Sequence, residues 1–197
     1  MDMNFKTQES FVLASASPRR KELFEILGLD FKIVTSDVEE TSVRFENDMQ
    51  YVRDVALLKT RDIANKMNGH TIIGADTIVS FDGRLLHKPK THEEAILHLH
   101  ALRGQTHAVL TAVAIIDKDG NENTSVEKTT VRFKQVSDAL IEAYVRSGDP
   151  FDKAGGYGIQ TGGALLVEQI EGDYNTVVGL PIASLAEQLL TLNLITI

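Results

Sequence analysis

The chain has 197 residues, a formal net charge of −8 and no cysteine. That length can bury a real core, and we expect residues 1–197 to form a single domain, with two lobes as an option. With 28 acidic and 20 basic residues it does not resemble a non-specific nucleic-acid binder, so a polyanionic partner is expected to be small and bound by a local group of cations. The absence of cysteine excludes disulfides and thiol chemistry. No signal peptide is evident in residues 1–10 and no apolar run is long enough to cross a bilayer, so we expect a cytoplasmic protein without a membrane partner.

The first predicted strand and helix meet at residues that suit a phosphate. Residues 11–13 are an apolar run typical of a buried strand, Ser17 is a predicted N-cap, and Pro18 fits the first helical position. Arg19 and Arg20 then fall in the first turn, where the helix dipole repels cations unless an anion is present. A capped surface helix with two solvated arginines is the alternative. The predicted inward residues of this helix are Leu23, Phe24, Ile26 and Leu27, with Gly28 after them.

A second predicted strand, residues 31–34, leads to Glu39 and Glu40. In α/β proteins ligands gather at the carboxyl ends of strands, so these acids are candidates for a site. The alternative is a loop in which both acids face water.

A long helix is predicted over residues 48–67, and Lys59 lies on its apolar stripe. An inward ammonium is costly unless the side chain snorkels to solvent or meets an anion. The other stripe residues are Val52, Val55, Ala56 and Ile63.

A predicted buried strand over residues 71–79 has Asp76 in its middle, and a buried carboxylate needs a cation, a metal or several donors. Asp82 and Gly83 then predict a two-residue hairpin turn. In that register Lys88 lies opposite Thr77, one pair away from Asp76, so Lys88 is predicted to share its site.

The remaining segments are predicted to be mainly structural. They are a helix capped by Thr91, a hairpin of residues 107–116 and 124–133, a helix capped by Ser137, strands at residues 164–170 and 174–178, and a helix over residues 181–192. The exception is the glycine-rich segment 149–163, where closely spaced glycines indicate sharp turns or a backbone near a ligand. Lys153 in this segment is a candidate cation, although it could pair with Asp152.

Together these residues suit a triphosphate bound with a divalent metal, because the cations offset phosphate charge and the acids hold an ion or activate water. The set is Arg19, Arg20, Glu40, Lys59, Asp76, Lys88 and Lys153.

The motifs in which these residues occur resemble the Maf family of nucleoside triphosphate pyrophosphatases, in family order and over nearly the whole chain. They are residues 15–20 (SASPRR), 38–40 (VEE), 74–77 (GADT), 88–89 (KP), 152–155 (DKAG), 157–160 (YGIQ), 172–174 (GDY) and 178–181 (VGLP). The resemblance implies a mixed α/β fold similar to that of inosine triphosphate pyrophosphatases: a central mixed sheet flanked by helices, and two lobes with a cleft. It also implies hydrolysis of a nucleoside triphosphate to the monophosphate and pyrophosphate with Mg²⁺ or Mn²⁺, often in a homodimer.

The resemblance also implies roles for individual residues. It makes Asp76 the proton acceptor and associates Arg19, Thr77 and Gln160 with the choice of base. These three residue types resemble the subgroup that acts on dTTP, UTP and modified pyrimidines, and not the subgroup that acts on 7-methyl-GTP. The chain departs from the common family pattern at His87, Gly156 and Thr161, and the last two lie beside Gln160.

The resulting hypothesis assigns the triphosphate to Ser17 and Arg20, with Lys59, Lys88 and Lys153 as further ligands, and the divalent ion to Glu40 and Asp76. Three alternatives stay open: a non-catalytic nucleotide-sensing protein that regulates cell division, a pyrophosphatase of the 7-methyl-GTP type, and a metal-dependent phosphatase that releases orthophosphate.

Overall fold

The computed structural model describes residues 5–197, with the backbone but not the side chain of Thr41. Residues 1–4, part of the segment considered above for a signal peptide, lie outside this range. The strands of the described chain are β1 (Phe11–Leu13), β2 (Phe31–Ile33), β3 (Thr71–Phe81), β4 (Arg84–Leu86), β5 (Thr106–Ile116), β6 (Glu122–Phe133) and β7 (Val167–Glu171). Its α-helices are α1 (Pro18–Glu25), α2 (Asp48–Ala64), α3 (His92–Leu102), α4 (Asp138–Arg146), α5 (Tyr174–Val178) and α6 (Ile182–Thr191).

The strands form one mixed sheet in the order β2-β1-β3-β5-β6-β7, with β4 paired to β3. β1 is parallel to both β2 and β3, whereas β3 and β4, and β6 and β7, are antiparallel. Parallel strands are covered on both faces, and the continuous apolar sequence of β1 meets that requirement. The predicted mixed α/β fold with a central sheet flanked by helices is confirmed. None of the helices in residues 5–197 has the length and apolar character that a membrane crossing requires.

The chain divides into two compact units. The first unit contains the chain up to Asp76 together with Thr111–Glu127 and Gly179–Ile197, and the second contains Thr77–Leu110 and Lys128–Val178. The predicted cleft and the predicted single domain stay predictions.

Each unit has an apolar cluster of its own. In the first unit a cluster joins β1, α2 and β3 through Val12, Ala14, Ile63 and Ile72. In the second unit α3 and α4 contribute to a larger cluster that includes Leu99, Leu102, Phe133, Ile141 and Val145. The cluster of the first unit packs α2, which carries Lys59, against the part of β3 that leads to Asp76.

The predicted hairpin turn is confirmed, but the register derived from it does not reach Lys88. Asp82 and Gly83 have φ angles of 51° and 71°, as a two-residue hairpin requires, and Phe81 pairs with Arg84. Pairing ends with Leu86 opposite Val79, and Lys88 is an exposed residue beyond the ladder. The predicted pairing of Lys88 with Thr77 was therefore wrong, because β4 has only three residues and Pro89 cannot donate to a ladder.

Residues 174–178 form helix α5, so the strand predicted there was wrong. The β-branched residues Thr176, Val177 and Val178 favour a strand, but the Asp173 carboxylate accepts hydrogen bonds from the backbone N–H groups of Asn175, at 3.2 Å, and Thr176, at 2.8 Å. Such capping outweighs a weak local propensity.

Two helix boundaries and one strand start also differ from the predictions. Helix α2 ends at Ala64 and not at residue 67, and α1 ends at Glu25. Ile26, which was predicted to face inward, is 56% exposed. Strand β7 begins at Val167, because residues Gly162–Leu166 form a short 3-10 helix.

Candidate functional site

Lys59 lies between two carboxylates in the first unit. Its Nζ is 2.6 Å from Oε1 of Glu40 and 2.7 Å from Oδ1 of Asp76. Lys59 projects from α2, Asp76 from the middle of β3, and Glu40 opens the 3-10 helix Glu40–Ser42. The inward lysine on the apolar stripe thus finds its anions, as one of the two sequence interpretations required.

Burial controls the electrostatics of this group. Asp76 is only 8% exposed, and its burial raises the pKa of the carboxyl above the ordinary value. The positive charges of Lys59 and Arg20 lower the pKa of Asp76, and the negative charge of Glu40 raises it. The net effect is a raised pKa. A carboxylate whose pKa is moved towards neutrality is suited to accept a proton at physiological pH.

Arg20 is anchored at the start of α1. Its Nε donates to the carbonyl oxygen of Gly179 at 2.8 Å, and its Nη1 donates to the hydroxyl of Ser15 at 3.3 Å. That hydroxyl also accepts the backbone N–H of Ser17 at 3.2 Å. Burial lowers the pKa of Arg20, while Asp76 raises it, and a guanidinium remains charged in this situation. Arg20 therefore brings a fixed positive charge within electrostatic reach of Asp76.

The beginning of α1 suits an anion. Ser17 occupies the N-cap position and Pro18 follows it, both as predicted. Within the described residues, α1 has no acid in its first turn and receives no capping hydrogen bond from the Ser17 side chain. The half-buried Arg19 lies in the same turn. N–H groups at a helix start favour negative charge, so a phosphate would complete this cap.

Tyr51 is a neighbour of the site that the sequence reasoning missed. It is 9% exposed and packs on Phe45, with ring centroids 5.8 Å apart. Burial raises the pKa of Tyr51, and the charges of Glu40 and Asp76 raise it further. The sequence could have indicated this neighbour, because a spacing of four residues places Tyr51 and Val55 in one row with the candidate Lys59 along α2.

The glycine-rich segment of the second unit is ordered, and Lys153 lies within it. The Lys153 Nζ donates to the Asp149 carbonyl oxygen at 2.7 Å, to Asp149 Oδ1 at 3.0 Å and to Asp152 Oδ1 at 2.6 Å. An ammonium has three N–H donors, and these three acceptors match them. The pairing with Asp152 that the sequence left open is present, and phosphate binding by Lys153 stays a prediction.

Three further candidates also belong to the second unit. Thr77 follows Asp76 on β3 and is half-buried, Lys88 is exposed after β4, and Gln160 is exposed just before the 3-10 helix Gly162–Leu166. The structure thus brings Glu40, Lys59 and Asp76 into contact, and the roles expected for the other candidates stay predictions.

A divalent metal is compatible with Glu40 and Asp76. No cluster of three or more histidine, cysteine, aspartate or glutamate side chains in the described chain is arranged to hold an ion. Two carboxylates nevertheless fit Mg²⁺, which is usually held by one or two carboxylates, water and substrate phosphates.

Comparison with known proteins shows the family to which this chain belongs. A family model described as "Maf-like protein" matches residues 10–192. A protein of Bacillus cereus named "dTTP/UTP pyrophosphatase" is 44% identical over 189 residues, which cover 96% of this chain and 93% of the relative. A Bacillus anthracis protein with the same name is 46% identical over 183 residues, which cover 93% of this chain and 95% of the relative.

The fold has a counterpart among solved structures. The structure titled "Structure of a HAM1 protein from Coxiella burnetii" matches with a TM-score of 0.54 and 17% identity, over 93% of this chain and 100% of that chain. At that identity the match concerns the fold alone. The family assignment rests instead on the sequence matches, which extend over nine-tenths of the chain, and by them this protein belongs to the Maf-like family.

Proposed function

We propose that this chain hydrolyses nucleoside triphosphates to the monophosphate and pyrophosphate, with dTTP and UTP as its preferred substrates. The observation that carries the proposal is the buried Asp76, held against Lys59 and facing the charge of Arg20. The names of the relatives at 44% and 46% identity support the choice of substrates.

The start of α1 would bind the triphosphate. Backbone N–H groups and the Ser17 hydroxyl offer donors, and Arg20 offers a charge that is held in place by Gly179 and Ser15. Lys59 adds a second cation. Arg19, Thr77 and Gln160 remain the residues proposed for the choice of base, and Lys88 and Lys153 remain predicted phosphate ligands.

Glu40 and Asp76 would hold a divalent cation, Mg²⁺ or Mn²⁺. When bound, such an ion neutralises phosphate charge and stabilises charge that develops on the leaving oxygen. The same carboxylate oxygens contact Lys59, so the lysine keeps the two acids together when no ion is bound.

Asp76 would act as the base. Its carboxylate accepts a proton from water while the water oxygen bonds to the α-phosphorus, and the bond from that phosphorus to the pyrophosphate oxygen breaks. The raised pKa of Asp76 favours this proton transfer near neutral pH.

A substrate panel tests the proposal. The purified protein is incubated with dTTP, UTP, CTP, GTP, ATP and 7-methyl-GTP in the presence of Mg²⁺, and pyrophosphate and orthophosphate are measured separately. We expect pyrophosphate, with the highest kcat/KM for dTTP and UTP. Orthophosphate as the first product would indicate the phosphatase alternative, and binding without product would indicate a sensor. A preference for 7-methyl-GTP would overturn the substrate assignment alone.

The predicted homodimer and cytoplasmic location remain predictions. Light scattering during size-exclusion chromatography tests the first, and microscopy of a tagged chain in its own cell tests the second.

A further inference from the structure

We infer that Asp149 and Thr161 lock the turn that carries Gln160, and that they are thereby positioning residues for base selection. The inference rests on the proposed function, to which the role of Gln160 belongs. All of the contacts that carry it lie within the second unit.

The Asp149 carboxylate is the centre of a hydrogen-bonded network. Its Oδ2 accepts from the hydroxyls of Tyr144 and Thr161, each at 2.5 Å, and its Oδ1 accepts from Lys153 at 3.0 Å. These donors lower the pKa of Asp149 although its partial burial raises it. A carboxylate with three donors holds all three of them in place.

Two of these contacts fix the chain on both sides of Gln160. On one side the backbone N–H of Gly158 donates to the Tyr144 hydroxyl at 3.0 Å, and that hydroxyl donates to Asp149. On the other side Thr161 binds Asp149 directly. Ile159 and Gln160 are therefore the two residues between anchors that end on the same carboxylate oxygen.

The Thr161 hydroxyl also closes the turn on itself. Its Oγ1 lies 3.1 Å from the Gly158 carbonyl oxygen and 2.5 Å from Asp149 Oδ2. A hydroxyl has one proton, and the shorter contact to a charged acceptor takes the larger share of it. The link from Thr161 to Asp149 is thus the stronger of the two.

Close packing leaves the turn little room to shift. A Cβ at Gly158 would lie 2.6 Å from Thr161 Oγ1 and 2.5 Å from Lys153 Cε. A Cβ at Gly163 would lie 2.6 Å from the Gly158 carbonyl oxygen and 2.9 Å from the Tyr144 hydroxyl. At Gly163 only glycine fits, because an added Cβ would meet the Gly158 backbone, and at Gly158 an added Cβ would displace the side chains of Thr161 and Lys153.

A fixed backbone has a consequence for recognition. Gln160 is exposed, and its amide can donate and accept hydrogen bonds. When the backbone that carries such an amide is already ordered, less conformational entropy is lost when the amide binds a base. The ordered turn also readjusts less to a base whose hydrogen-bond donors and acceptors do not match the amide, which increases the discrimination between bases.

Thr161→Val tests the lock, because it removes the hydroxyl from an exposed side chain and keeps its shape. The assay measures kcat and KM for UTP and CTP, which differ only in the base. We expect the UTP/CTP ratio of kcat/KM to fall about fivefold, as for the loss of one hydrogen bond, mainly through KM for UTP. Thr161→Ser should retain the ratio. The matched control is Thr191→Val, since the exposed Thr191 hydroxyl donates to the backbone carbonyl of Glu187 in α6, at 2.8 Å. This control should leave the ratio unchanged.

A double variant shows whether Thr161 acts through Gln160. In a Gln160→Ala background, Thr161→Val should have no further effect on the ratio. Hydrogen exchange provides a readout independent of activity, and the amides of residues 158–162 should exchange faster in Thr161→Val. An unchanged ratio in an active enzyme, an effect that persists without Gln160, or unchanged exchange would each overturn the inference alone. A wild-type protein that releases no pyrophosphate would overturn the proposed function, and the inference with it.

Discussion

Replacement of Lys59 by methionine tests the electrostatic design of the site most directly. The substitution keeps most of the apolar stem and removes the ammonium that contacts Glu40 at 2.6 Å and Asp76 at 2.7 Å. In the wild type, Glu40 and Asp76 share the Lys59 ammonium, and the substitution removes this shared contact from both carboxylates. We expect a loss of folding stability that grows as the pH rises.

The size of that loss follows from burial. Removing one partner of a buried ion pair costs about 3–5 kcal/mol, because the other charge stays buried and uncompensated. The side chains of Lys59 and Asp76 are 18% and 11% exposed, but that of Glu40 is 49% exposed, so only the pair with Asp76 approaches the buried case. We therefore expect a decrease of about 3 kcal/mol in the free energy of unfolding at pH 8.

The pH dependence has a definite sign. Burial raises the pKa of Asp76, and Lys59 is the largest of the influences that lower it, so Lys59→Met raises that pKa further. An acid with a raised folded pKa binds more protons in the folded state, and stability then falls as the pH rises through that pKa. The cost of the substitution should be smaller at pH 5, where Asp76 takes up a proton more readily.

Urea unfolding followed by circular dichroism at pH 5 and pH 8 measures both effects, since the chain has no tryptophan for fluorescence. Lys66→Met is the matched control, because Lys66 is 53% exposed and pairs with Asp62 at 2.8 Å on the surface. Such a pair contributes about 1 kcal/mol or less. Equal losses for the two variants at pH 8 would refute the reasoning.

Three further results are expected. Asp76→Asn should lower kcat by about 100-fold or more in a folded protein if Asp76 is the base, whereas Asp82→Asn in the exposed hairpin turn should leave it unchanged; near-normal turnover of Asp76→Asn would remove the role. Burial lowers the pKa of His107 to about 4, so the contribution of His107 to the unfolding free energy should fall by about 3 kcal/mol as the pH falls from 6.5 to 4. Over this range the wild type should lose about 3 kcal/mol more than a His107→Gln variant, and the same slope in both proteins would contradict the assignment. Gly74→Ala should lower the free energy of unfolding by about 1–3 kcal/mol, because its Cβ would lie 2.1 Å from the buried Thr60 Oγ1. Measured by urea unfolding, the cost of Gly74→Ala should be smaller when Thr60 is also replaced by alanine, and an equal cost in both backgrounds would contradict this reasoning.

Local chemistry made several elements predictable. The Asp82-Gly83 turn could be predicted because aspartate and glycine tolerate the positive φ angles that it requires. The helix cap at Thr91 could be predicted because the cap involves only neighbouring residues: the Thr91 hydroxyl accepts the N–H of Glu94, at 3.1 Å. Because Lys59 lies on an apolar stripe and Asp76 lies in an apolar strand, the sequence predicted that both charges need partners. That part of the site could be found from sequence because burying a charge alone is costly.

The failures occurred where the outcome depends on strand length or on a competing local bond. The Lys88 register assumed a longer β4, and nothing in the local sequence says that pairing stops at Leu86. For residues 174–178 the β-branched run suggested a strand, whereas the Asp173 carboxylate caps a helix.

The sequence by itself determined where the Asp82-Gly83 turn occurs and that Lys59 and Asp76 require compensating charges, because turn chemistry and periodicity are properties of neighbouring residues. Only the tertiary structure decided the partners: that one ammonium serves both Glu40 and Asp76, and that Asp149 collects hydrogen bonds from Tyr144 and Thr161. These pairings depend on how helices, strands and loops pack. The position of an acid in the sequence does not specify which distant donor will lie within about 3 Å of it in the folded chain.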